Sequence, residues 1–166
     1  MEELKQAYTE KLSKALDMEK IIVEHMPSMI AAATDDKLRQ GLSDHLLETR
    51  EHVTRITDIL ATHKGATAKK DEAFLMMVKN AGKEIESIED VDVRDAVIIA
   101  AAQAVEHHEI AKYGTLVEWA KKLDEDGECI NMLKKTLTEE EAADKKLSTV
   151  AQGGIFATGV NELAAK

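Results

Sequence analysis

The chain has 166 residues, 32 acidic against 22 basic side chains, a formal net charge of −10, one proline, one cysteine and 3% aromatics. That length fits one domain with a real core, and the acidic balance argues against nucleic acid as a partner. The single Cys129 excludes an internal disulfide or CxxC metal site, and the longest apolar run, Ala96–Ala102, is far short of the roughly 20 residues a membrane span needs. Abundant Ala, Leu, Glu and Lys is helical composition, and the acidic start, Met-Glu-Glu-Leu-Lys-Gln, has no secretory pattern, so a cytoplasmic setting is expected.

Residues 2–33 read as the first helix. Leu4, Tyr8, Leu12, Ala15, Ile22, Met26 and Met29 recur in steps that keep one helix face, and Glu19 stands in the middle of that stripe. Pro27 is expected to kink the helix, because proline removes a backbone donor and crowds the preceding turn. Thr34-Asp35-Asp36 has turn and N-cap chemistry. The second helix, 36–63, places Leu38, Leu42, His45, Thr49, His52, Ile56 and Ile59 on its stripe with Glu48 beside it, and stops near Gly65.

Residues 64–91 form a long connection with a short amphipathic helix of its own, carrying Phe74, Met77, Ala81, Ile85 and Ile88 on one side. Asp92 and Asp95 read as the capping box of a third helix running to about Leu123. Its stripe is Ala96, Ile99, Gln103, Glu106, Ile110, Tyr113, Val117 and Ala120. After the turn Asp124–Gly127 comes a fourth helix to Gln152, with Ile130, Leu133, Leu137, Glu140, Asp144, Leu147 and Ala151 in phase. Thr138 and Glu141 also fit a capping box, but the unbroken phase through Leu137 to Glu140 favours one helix. Gly153-Gly154 stops it. The tail, 153–166, contains Ile155, Phe156, Val160 and Leu163 and is expected to pack on the bundle or on a second subunit.

Short turns join helices one to two and three to four, so each pair should be an antiparallel hairpin, and the 64–91 link can cross the length of a bundle. An all-α, ferritin-like four-helix bundle over 1–152, with one long crossover containing an additional short helix, follows from those lengths.

Each of the four helices carries a carboxylate within its apolar stripe or beside it. An ionised carboxylate out of water is costly unless paired or metal-bound. Four at matching depth point to a polar site inside the bundle. Glu19, Glu48, His52, Glu106, Glu109, Glu140 and Asp144 are the candidate metal ligands. His45 is either a ligand or a donor that orients Glu48, and Tyr113 is placed to hydrogen-bond a ligand carboxylate. Glu139-Glu140-Glu141 reads as a charge run whose middle member alone points along the stripe. Asp144 has an alternative place at the surface, paired with Lys145 or Lys146. An oxygen-rich set with imidazole suits two iron ions, or manganese or a mixed pair, better than copper or structural zinc.

The stretch Ala100-Ala-Ala-Gln-Ala-Val-Glu-His-His-Glu-Ile-Ala-Lys-Tyr-Gly-Thr-Leu116 resembles the signature helix of the YciE/YciF ferritin-like family. His45-Leu-Leu-Glu-Thr with His52, Leu16-Asp-Met-Glu19-Lys and the segment Lys135 to Asp144 resemble it more weakly. The resemblance covers most of 3–151 and implies a bundle similar to rubrerythrins and ferritins, in a family linked to bacterial stress responses. Glu106 and Glu109 look like the corresponding pair of rubrerythrins. The Glu48–His52 spacing of four and Asp144 in place of a common histidine depart from the ferritin pattern. A di-metal protein reacting with oxygen or hydrogen peroxide, as ferroxidase or peroxide-scavenging stress protein and as a homodimer, is the leading expectation. A non-catalytic metal-binding or protein-interaction bundle is the alternative.

Overall fold

The computed structural model describes residues 1–63, 66–154 and 157–166. Four long helices, α1 (Glu2–Ala32), α2 (Asp36–Ala61), α4 (Val91–Lys122) and α5 (Gly127–Gln152), form the bundle, and α3 (Glu72–Glu86) lies in the crossover. Around the bundle α1 neighbours α2, α2 neighbours α5, α5 neighbours α4 and α4 returns to α1, with α3 packed on α1 and α4. This is the ferritin-like four-helix bundle with one long crossover. Among the described residues no helix is long and apolar enough to cross a membrane.

Aspartates start four of the helices. Asp35 accepts from the Leu38 amide at 2.8 Å, Asp71 from Phe74 at 3.3 Å, Asp90 from Asp92 and Val93 at 3.0 Å each, and Asp126 from Glu128 at 2.8 Å. Each such cap satisfies amides that the helix cannot, worth about 1 kcal/mol. The expected cap at Asp92 is therefore corrected: α4 begins earlier because Asp90 already meets its first amides. Asp95, expected in a capping box, instead turns inward and is 2% exposed. It accepts from Thr34 N (2.8 Å), Thr34 Oγ1 (2.6 Å) and Asp35 N (2.7 Å), tying the start of α4 to the α1–α2 turn.

The helix α1 continues through the exposed Pro27. One helix covers 127–152, and Thr138 lies inside it with its hydroxyl donating to the Lys134 carbonyl. Gly65, Ile155 and Phe156, named from sequence as helix stop and tail contacts, lie outside the described residues. The tail begins at Gly153, whose φ of 72° suits glycine and ends α5. A two-residue antiparallel pairing follows, β1 (Gly153–Gly154) with β2 (Ala157–Thr158), and then α6 (Val160–Ala164). Gly159 approaches the end of α5 so closely that an added Cβ would stand 2.3 Å from the Gln152 carbonyl carbon. That approach seats Val160 in a cluster with Ile98, Ile99, Leu147 and Ala151, so the tail packs on the bundle.

Among the described residues, buried apolar side chains form two clusters. One includes Leu12, Ile56, Leu116 and Leu133; the other includes Leu38, Ile98, Ala102 and Leu147. On α2, α4 and α5 the polar residues His45–His52, Glu106–Glu109 and Glu140 fall between them. The polar site is thus a layer sandwiched by two cores, which keeps water from it and holds its side chains in place.

Candidate metal centre

Each bundle helix delivers its polar residues to this layer by helical spacing. Glu19 comes from α1, His45, Thr49 and His52 from α2, Glu106, Glu109 and Tyr113 from α4, and Glu140 from α5. Glu19, His52, Glu109, Tyr113 and Glu140 are fully buried, Glu106 is 3% exposed and His45 5%.

Two groups of ligand atoms converge. His45, Glu106, Glu109 and Glu140 each offer an atom within 4.8 Å of the others, and so do Glu19, His52 and Glu140. Glu140 belongs to both. His45 Nε2 stands 3.1 Å from Glu106 Oε1 and 3.5 Å from Glu140 Oε2. His52 Nδ1 stands 2.8 Å from Glu140 Oε1 and 3.6 Å from Glu19 Oε2. The two imidazole centroids are 6.3 Å apart.

Eight buried atoms here have no hydrogen-bond partner: Glu19 Oε2, His45 Nε2, His52 Nδ1, Glu106 Oε2 and both oxygens of Glu109 and of Glu140. Buried polar atoms are normally satisfied. The 2.8 Å approach of His52 Nδ1 to Glu140 lacks hydrogen-bond alignment, so the pair is gathered without being bonded. Donor atoms gathered within 4.8 Å of one another in each group, without hydrogen-bond partners, are what a cation requires. The residues present therefore fit a pair of divalent ions.

Electrostatics agrees. Burial, then the charges of Glu140, Glu19 and Glu106, pushes Glu109 well above the usual carboxylate range. Burial pushes Glu140 up to about 7 against the lowering effect of His52. Burial opposes protonation of His52, but Glu140 and Glu19 overcome it and raise the imidazole to about 10. His45 is likewise raised, against its burial, by Glu106 and Glu48. Protons thus offset the gathered negative charge wherever no metal does.

Supporting contacts fix the ligand orientations. The Tyr113 hydroxyl donates to Glu19 Oε1, and burial next to Glu19 raises its pKa well above the usual value, keeping it a neutral donor. On α5, Glu139 Oε2 lies 3.0 Å from His52 Nε2. The Glu139 carboxylate is forked by Arg55, with Nη2 at 3.2 Å from Oε1 and Nη1 on Oε2, and Arg55 Nη1 also reaches Thr136 Oγ1 at 3.1 Å. A carboxylate on Nε2 keeps a proton on that nitrogen, so Nδ1, which faces Glu140 and Glu19, is the position a cation would take in exchange for the second proton.

Of the residues expected from sequence, Glu19, His52, Glu106, Glu109 and Glu140 come together, with Tyr113 on Glu19. His45 joins them as a direct contributor. Glu48 stands at the rim: its side chain is 38% exposed and its Oε2 is 3.5 Å from His45 Nδ1. Asp144 is not brought into the groups; it accepts from Gln103 Nε2 at 3.0 Å and lies 3.6 Å from His107 Nε2. On α2, at roughly 100° per residue, His45 and His52 lie within about 20° of one another and Glu48 about 60° from His45, and the packing of the helix turns the Glu48 side outward. Glu139 and Arg55 were missed as contributors. The available signal was an acid adjacent to a stripe carboxylate and an arginine three residues after a stripe histidine.

Residues 3–160 match the family model described as "Domain of unknown function (DUF892)". The chain is 35% identical over 153 residues to Protein YciF of Escherichia coli (strain K12), covering 91% of this chain and 92% of the relative. It superposes on the crystal structure of the E. coli stress protein YciF with a TM-score of 0.83 at 34% identity, over 100% of both chains. It also superposes on YcfI of Rhodopseudomonas palustris, for which a structural role has been suggested, with a TM-score of 0.84 at 37% identity over 89% of this chain and 94% of that one. With the family model, the sequence identity and the bundle agreeing over nearly the whole length, the chain belongs to the DUF892 family, the YciE/YciF ferritin-like proteins.

Proposed function

We propose that the protein holds two metal ions, iron in the first instance and manganese or a mixed pair as alternatives, and reacts with oxygen or hydrogen peroxide. The observation that carries this reading is the sharing of Glu140 between two convergent His/Glu groups. Glu19, His52 and Glu140 would hold one ion, and His45, Glu106, Glu109 and Glu140 the other. Four carboxylates balance the charge of two divalent cations, and oxygen donors with one imidazole each suit iron or manganese. When bound, such a pair supplies two electrons to an oxidant, one from each ion.

The protein's own part is arrangement. The two apolar clusters exclude water from the layer, Tyr113 holds Glu19 by one oxygen, and Glu139 with Arg55 holds the His52 ring in register. The stress role stated for E. coli YciF accords with removal of an oxidant. The structural role suggested for the R. palustris relative favours the second reading, a non-catalytic metal-binding or protein-interaction bundle.

The test is anaerobic loading with Fe(II), metal analysis, and an optical spectrum on adding peroxide. Two ions per chain and a new charge-transfer band are expected. Two bound ions with no spectral change would favour the non-catalytic bundle. No bound metal, with unchanged stability in chelator, would overturn both metal-binding readings.

A further inference from the structure

We infer that metal cations reach the centre through an opening between α2 and α5, passed inward by Glu48 and His45; this rests on the two-metal reading above. A cavity of about 20 Å³ lies there, with His45 and Glu106 at its floor, Gly41 and Ala143 in its walls, and Glu48 and Lys146 at its rim. That volume admits one water-sized species.

The floor is not inert. His45 and Glu106 are 5% and 3% exposed, and His45 Nε2 and Glu106 Oε2 have no hydrogen-bond partner. Donor atoms then run from solvent to centre: half-exposed Glu48, with Oε2 3.5 Å from His45 Nδ1, and His45 Nε2, 3.1 Å from Glu106 Oε1. A cation shedding water needs replacement ligands at every step, since bare charge in an apolar passage is prohibitively costly. Leu38, Leu42, Leu147 and Val150 also line the α2–α5 cavity, so its donors form one track along an otherwise apolar wall. A second cavity, of about 40 Å³, also touches Glu106; Ile22, Met26, Met29, Val78 and Val105 line it with His25, and Glu106 is its sole carboxylate. Of these two cavities, the α2–α5 one alone has a carboxylate, Glu48, besides Glu106, and it alone contains His45. Lys37 and Lys146 flank it on flexible stems that can keep their charge in water, while the carboxylates within attract the cation.

Gly41 keeps the route open. A Cβ built there meets nothing within 4 Å, so a methyl group at 41 fits without a clash and a longer side chain would reach into the opening. Gly127, at the exposed start of α5, is equally uncrowded and serves as a control.

The experiment is stopped-flow uptake of Co(II) by the full chain, read by its visible absorption, with final stoichiometry from metal analysis and Tm by circular dichroism. Gly41→Leu should load at least tenfold more slowly than wild type, to the same final stoichiometry and with Tm not lowered. Gly41→Ala should be intermediate, and Gly127→Leu should match wild type. Glu48→Gln should also slow uptake and still bind fully. Wild-type uptake rates in correctly folded Gly41→Leu, or in Glu48→Gln and Gly41→Ala should Gly41→Leu not fold, would overturn the route. Loss of a bound ion in Glu48→Gln would make Glu48 a ligand and overturn its handing role. No Co(II) uptake by wild type would overturn the two-metal reading itself, and this inference with it.

Discussion

His52 and Glu139 face each other across the α2–α5 boundary, imidazole Nε2 to carboxylate Oε2 at 3.0 Å, and Arg55 holds the carboxylate from behind. The contact orients a candidate ligand from outside the ligand set. Loss of such a partner typically weakens metal binding about 10–100-fold. Glu139→Gln and Arg55→Met are therefore expected to fall in that range with helix content unchanged, measured by competition against a chromophoric chelator. Unchanged affinity in both would remove Glu139 from the centre.

Glu140 and Glu19 should differ in stoichiometry. Glu140→Ala removes an atom from both groups and should abolish tight binding of both ions, whereas Glu19→Ala should spare the His45 side and leave one. Equal losses in the two variants, by metal analysis after gel filtration, would contradict a shared Glu140.

Metal should stabilise the fold by mass action. Free metal at a thousandfold above Kd adds about 4 kcal/mol, which is roughly 8–16 °C in Tm for a chain of this length. Calorimetry with and without chelator measures it; identical Tm values would mean the layer holds no metal.

The pH dependence follows from groups displaced in one direction. His52 is raised to about 10 and Glu140 to about 7, and His45 and Glu109 are raised as well. A folded-state pKa above the unfolded one gives stability that is fully present below the unfolded value. It is lost as pH rises through the folded value. Without metal, the protein should therefore lose stability from mildly acidic pH, near the unfolded carboxyl value, up through about pH 10, where His52 deprotonates. Metal must displace those protons, so uptake should acidify a weakly buffered solution and apparent affinity should rise with pH. Uptake without proton release, read by an indicator dye, would contradict this.

Asp95 should matter for stability alone. Its buried carboxylate accepts three hydrogen bonds from Thr34 and Asp35. Asp95→Ala leaves those donors unmet at a 2%-exposed site and should cost about 2–4 kcal/mol in urea unfolding. Metal stoichiometry should not change. A cost below about 0.5 kcal/mol would show that water replaces the carboxylate.

The sequence by itself determined the bundle. Apolar steps of three and four marked the long helices, the short turns at 34–36 and 124–127 forced hairpins, and the long crossover set the ferritin-like order. It also exposed Glu19, His52, Glu106 and Glu140, because a carboxylate or imidazole within an apolar stripe conflicts with burial unless something compensates it, and Glu109 through its position three residues after Glu106. Tertiary structure alone decided the finer assignments. A stripe defines a face only to within about one residue, or roughly 100° of helix, and the rotation of each helix against its neighbours is set by packing. That rotation turned His45 inward and left Glu48 at the rim. It sent Asp144 to Gln103, turned Asp95 from cap to latch, and brought Glu139, which looked like one solvated acid of three, onto His52. The sharing of Glu140 is likewise a relation among all four bundle helices, and spacing along any one of them cannot express it.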